Sequence, residues 1–132
     1  MKKRSLTDEK ETKDKEESTK GRWRMSAYVR PNDRSPFLQF RKELSKNERT
    51  TLDAAIEHLM AEYPDVKMPL SEMVQGVAMI RCRNGKVRIR TFYAPRRCDL
   101  ILLFLNGFRK KADEVTQEEL DRARKLKSES GL

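Results

Sequence analysis

The stretch from Val77 to Lys111 constrains the fold more than any other part of this chain. It holds three strand-like runs: Val77-Ala-Met-Ile-Arg-Cys-Arg83, Lys86-Val-Arg-Ile-Arg-Thr-Phe-Tyr93, and Cys98-Asp-Leu-Ile-Leu-Leu-Phe-Leu105, the last continuing through Asn106-Gly107 to Phe108-Arg-Lys-Lys111. Aliphatic, β-branched and aromatic residues bounded by turn residues are the strand pattern. Asn84-Gly85 between the first two runs is a strong hairpin signal, because a type I′ turn asks for positive φ at both central positions. The spacing predicts an antiparallel sheet of at least three strands that presents arginines.

Charge singles out the same stretch. The chain carries 30 Lys+Arg against 21 Asp+Glu, a formal net charge of +9. Residues 76–112 hold ten cations (Arg81, Arg83, Lys86, Arg88, Arg90, Arg96, Arg97, Arg109, Lys110 and Lys111) against the single anion Asp99, a balance of +9 that equals that of the whole protein. Cations gathered into one structural unit are the electrostatic footprint of a polyanion-binding surface.

At 132 residues the expectation is one domain, with a core large enough to need neither disulfides nor metals. No apolar run is long enough to span a membrane. The basic N-terminus is followed by no apolar segment, so a signal peptide is not expected and the cytoplasm is. Cys82 and Cys98 then read as reduced thiols, and two Cys with one His at no ligand spacing predict no metal site. No cofactor is expected.

Residues 1–20 are Lys, Glu, Asp, Ser and Thr with little apolar content and predict a disordered charged tail, which leaves 21–132 as the folded domain. Trp23 to Val29 alternates as a strand, with Trp23 as a core or edge aromatic. Pro31-Asn32-Asp33 is a turn, and Ser35-Pro36 opens a helix through Phe37, Leu38, Phe40 and Leu44. Ser45-Lys-Asn-Glu48 is a capping box opening a second helix. Its stripe is Leu52, Ala55, Ile56, Leu59, Met60 and Tyr63, and Pro64 ends it. His58 reads as a surface or half-buried helix residue beside that stripe. Residues 69–76 read as a connection. Thr116-Gln-Glu-Glu119 is a second capping box, for a final helix with Leu120, Ala123 and Leu126 on one side. That helix packs on the sheet edge or covers the basic surface, and the sequence leaves both open. The order strand, helix, helix, strands, helix is α+β: a helical hairpin and a C-terminal helix packed on a small antiparallel sheet.

Several segments, in order, resemble a known family. Gly76-Val-Ala-Met-Ile-Arg81, Arg90-Thr-Phe-Tyr93, Leu102-Leu-Phe-Leu-Asn-Gly-Phe-Arg-Lys-Lys111 and Glu118-Glu-Leu-Asp-Arg-Ala-Arg124 are similar to the phage-derived, HigB-like branch of the RelE toxin superfamily. Met79 stands where that family's strand carries glutamate, Ala78 where it carries an aromatic residue, and Thr116 where it carries proline. The resemblance implies the toxin of a type II toxin–antitoxin system: a ribosome-dependent endoribonuclease (an mRNA interferase) with ribosome and mRNA as partners. It also implies a cognate antitoxin, of helix-turn-helix, HigA-like type.

Metal-free RNA cleavage needs removal of the 2′-OH proton, charge stabilisation on the phosphorane and protonation of the 5′-oxygen. Arg81 and Arg90 align with the family's strand arginines, and a guanidinium fork suits the second task. Lys110, Lys111 or Tyr93 are candidates for proton transfer, their deprotonation eased by so positive a field. Tyr93 has opposite strand parity to Arg90, so the two meet only if the strand bulges or twists. Arg83, Lys86, Arg88, Arg109 and Lys111 are candidates to bind the RNA backbone, and Phe92 and Phe108 to stack a base. The catalytic set is then Arg81, Arg90, Tyr93 and Lys110. The alternative is a noncatalytic RNA- or ribosome-binding module, and a third reading is a structural phage protein touching DNA.

Overall fold

A computed structural model describes residues 19–66, 70–110 and 117–132. Most of the expected tail, Pro69, Lys111 and the Thr116 capping box lie outside the described residues. The elements run β1 (Arg24–Ala27), α1 (Pro36–Glu43), α2 (Lys46–Glu62), β2 (Ser71–Val74), β3 (Val77–Asn84), β4 (Val87–Arg96), β5 (Ile101–Lys110) and α3 (Gln117–Glu129).

Local chemistry sets the helix starts. The Leu38 N–H donates to Ser35 Oγ at 3.3 Å, with Pro36 in the first turn. Ser45 and Glu48 form the full capping box: the Glu48 N–H donates to Ser45 Oγ at 3.2 Å, and the Ser45 N–H to Glu48 Oε1 at 2.8 Å.

The strands form one sheet in the order β1-β5-β4-β3-β2. The chain is α+β, as the element order predicts, but the sheet is mixed. β1 runs parallel to β5, and the other pairs are antiparallel. The elements between β1 and β5 form a long crossover, which is what a parallel pairing requires. The segment read as a connection is also a strand. β2 joins β3 through Gln75-Gly76, both at positive φ (47° and 87°), the two-residue turn that matches sheet twist. The β3–β4 turn differs from the expected type I′. Asn84 stays in the strand paired with Val87, leaving Gly85-Lys86 as the turn with positive φ at Gly85 alone, the type II′ pattern.

The sheet divides two cores. On one face α1 and α2 pack Phe37, Phe40, Leu52, Ile56 and Leu59 against Ile80, Ile89, Tyr93, Leu102 and Phe104, with Trp23 at the margin. On the other, Leu120, Ala123 and Leu126 of α3 pack against Val77, Met79, Phe92, Ala94, Leu103, Leu105 and Phe108. The helical hairpin and the C-terminal helix thus take opposite faces, which the sequence left open. Arg30 holds Glu129 at the far end of α3 through two hydrogen bonds, at 3.0 and 3.1 Å.

One irregularity decides the faces. Phe92 pairs with Asn106 but Tyr93 with Phe104, so Leu105 is the extra residue of a bulge on β5. Beyond it the alternation of β5 reverses. Gly107 lies under Phe40, where a Cβ would come within 2.6 Å of the Phe40 ring, and Phe108 faces α3.

Candidate nucleic-acid interface

Alternation along β3 places Arg81 and Arg83 on the face that carries Val77 and Met79. Alternation along β4 places Arg88 and Arg90 with Phe92, and the bulge adds Phe108 and Lys110. The registers line them up. Arg81, Arg90 and Phe108 stand side by side across three strands, and Arg83, Arg88 and Lys110 form the next row. Side chains directly opposite on neighbouring strands are about 5 Å apart at Cβ, and like charges so placed destabilise a sheet. A fold keeps such rows only at a cost in stability, and the gain is a concentrated positive potential at the end of the face farthest from the β2–β3 turn.

Within the rows the arginines differ in setting. Arg90 is 8% exposed, and its Nη1 donates to the carbonyls of Ile89 (3.2 Å) and Cys82 (3.4 Å). Arg81 is half-buried and ion-paired with Glu72 of β2. Arg83 is exposed, with Nε donating to the Gly85 carbonyl at 2.9 Å. Arg88 and Lys110 are half-buried, and Lys86 is exposed at the turn. Planar forks beside one another, with a lysine at the row's end, suit successive phosphates of a polynucleotide.

Not every residue expected there takes part. Tyr93 points into the hairpin-side core at 2% exposure, stacked on Phe104 and sharing a 2.7 Å hydrogen bond with Ser71 Oγ. Burial pushes its phenol up to about 12, the reverse of the easier deprotonation expected from the cationic field. The register does shift beside it, but the extra residue belongs to β5. β4 keeps alternating, and Tyr93 never joins Arg90.

Arg109 also turns to the hairpin side, where its Nη1 meets Glu48 Oε1 at 3.1 Å. The Ser45 N–H, aided by Arg109, holds the Glu48 carboxyl below its usual range. Phe92 is fully buried and Phe108 9% exposed, the two rings stacked at 5.9 Å, so both are core rather than open platforms for a base. His58 is exposed on α2. Cys82 and Cys98 are free thiols, and burial lifts that of Cys82 to about 11.

The residue that sequence reasoning missed is Glu72. It was hidden because Ser71–Val74 read as a connection. The signal available was a short run ending in Gln75-Gly76 and followed by an apolar strand.

Among the described residues no helix is long and apolar enough to cross a membrane. Residues 39–128 match a family model described as phage-derived protein, Gp49-like. No curated protein matches the chain.

Proposed function

We propose a function from one premise: the chain belongs to the phage-derived Gp49-like family, a toxin–antitoxin family related to the RelE toxins. On that basis the protein is a toxin of HigB-like type that cleaves mRNA on the ribosome and acts in the cytoplasm. The observation that supports this most is the pair of in-register rows, Arg81-Arg90 and Arg83-Arg88-Lys110, on one face of the sheet.

In the proposed reaction the 2′-hydroxyl of the message gives its proton to solvent water as its oxygen attacks the adjacent phosphorus, and the bond to the 5′-oxygen breaks to leave a 2′,3′-cyclic phosphate. Arg81 stabilises the charge that gathers on the phosphorane by contact, and Arg90, 8% exposed with Nη1 on the Ile89 and Cys82 carbonyls, adds its positive field from beneath. Lys110 donates the proton that the departing 5′-oxygen takes up. Arg83, Lys86 and Arg88 hold the flanking phosphates. A cognate antitoxin, of helix-turn-helix HigA-like type, silences the toxin. Tyr93 has no part in the proposal, because its buried phenol lies across the sheet from the arginines.

The test is induced expression with growth followed alongside mapping of mRNA 5′ ends. Arrested growth with new 5′ ends inside coding regions is the expected result. Unchanged growth and no new ends, with folded protein accumulating, reject cleavage.

The second reading is a noncatalytic RNA-binding module. It is favoured by the absence, among the described residues that β2 to β5 place on this face, of any histidine or tyrosine. Arg90→Ala separates the two. Lost cleavage with retained ribosome binding marks an enzyme, and lost binding with no cleavage from either protein marks a module.

A further inference from the structure

We propose that Glu72 is a positioning residue, whose carboxylate holds the Arg81 guanidinium in place for a phosphate. The inference deepens the proposed cleavage reaction and rests on it.

Glu72 lies on edge strand β2, directly across the ladder from Met79, so its side chain stands on the arginine face. Met79 is fully buried in the α3-side core, and β3 itself carries no carboxylate. Glu72 fills that gap from the neighbouring strand by ion-pairing with Arg81 Nη2. The pair is partly sheltered, with side chains 33% and 20% exposed, so water and salt screen it less than an open surface pair.

The need for such a partner follows from the register. Arg81 stands opposite Arg90, and the two guanidiniums repel. The Nε of Arg81 is buried without a hydrogen-bond partner, so the head of this side chain is steered from its Nη end. Glu72 attracts it from the β2 side while Arg90 repels it from the β4 side, and the two forces act in the same direction. A guanidinium has five donors, so one edge can meet a carboxylate while others remain for a phosphate oxygen. Donors fixed before the substrate arrives need no reorganisation during the reaction.

The experiment is a double-mutant cycle of Glu72→Gln and Arg81→Ala. It reads kcat on ribosome-bound message, affinity for a single-stranded RNA oligonucleotide, thermal melting, and the Arg81 side-chain signals by nitrogen-15 NMR. Glu72→Gln is expected to lower kcat about 10- to 100-fold, somewhat less than loss of a charge-stabilising donor itself. Oligonucleotide affinity should hold or rise, because an anion has been removed from a cationic face. In the Arg81→Ala background the same substitution should change kcat by less than about twofold, since a group acting through Arg81 has nothing left to position. The Arg81 guanidinium, slow to rotate in the wild type, should rotate freely in Glu72→Gln. Equal losses in both backgrounds, or unchanged Arg81 signals, overturn the proposal. A folded wild type that cleaves no message refutes the cleavage reading instead, and the Arg81 signals then decide alone whether Glu72 holds the guanidinium.

Discussion

Arg109 and Lys110 are chain neighbours of equal charge on opposite faces of β5, which makes them a matched pair for testing the interface. Lys110 ends the row that begins with Arg83 and Arg88, whereas Arg109 meets Glu48 on the helical-hairpin side. If Arg81, Arg83, Lys86, Arg88 and Lys110 each neutralise one phosphate of single-stranded RNA, affinity should fall with salt at a log–log slope of about −3.5, from about −0.7 per phosphate. Lys110→Ala should flatten that slope by about 0.7. At 0.1 M salt this amounts to about fivefold in affinity, or about 1 kcal/mol. Arg109→Ala should leave the slope unchanged. Its effect should appear in unfolding, and be small, because its side chain is 45% exposed and such pairs contribute about 0–1 kcal/mol. The assay is fluorescence anisotropy of a labelled RNA oligonucleotide from 0.05 to 0.5 M salt, with melting curves run in parallel. Equal flattening by both substitutions would refute the division of β5 between two faces, and with it the bulge that creates the division.

Three further outcomes follow from the described packing. Tyr93→Phe removes a buried hydroxyl bonded to Ser71 and should cost about 1 kcal/mol in urea unfolding while leaving RNA cleavage unchanged; a large loss of cleavage would return Tyr93 to the site. Gly107→Ala forces a methyl group to within 2.6 Å of the Phe40 ring and 2.9 Å of the Arg90 carbonyl, so unfolding should become easier by about 1–3 kcal/mol, and an unchanged melt would mean the contact yields freely. Glu48 is held below its usual pKa by the Ser45 N–H and by Arg109, so its contribution is present in full above the unfolded carboxylate value. That contribution is lost as pH falls through the lower folded value. Wild type and Glu48→Gln should therefore differ in stability at pH 6 and converge toward pH 3; a constant difference would remove the ionised carboxylate from the explanation.

How much of this was legible depended on the range of the interaction concerned. The helices at Ser35-Pro36 and Ser45–Glu48 were readable because a cap is closed by groups three residues apart. The shared face of Arg81 with Arg83, and of Arg88 with Arg90, was readable from strand alternation. β2 was missed because four residues carry little periodic signal of their own, and the strand exists through its ladder with β3.

Residue types and their short-range spacing, by themselves, settled the α+β class, the helix caps at Ser35 and Ser45 and the gathering of cations between residues 76 and 112. The tertiary fold alone decided which of those cations meet. Its devices were a single extra residue at Leu105, the parallel entry of β1 beside β5 and the seating of α3 on the face opposite the hairpin. Strand alternation has a period of two, so one bulge reverses every side chain beyond it. Counting from Phe104 would send Phe108 and Lys110 to the hairpin side, and only long-range pairing with β4 turns them toward the arginines.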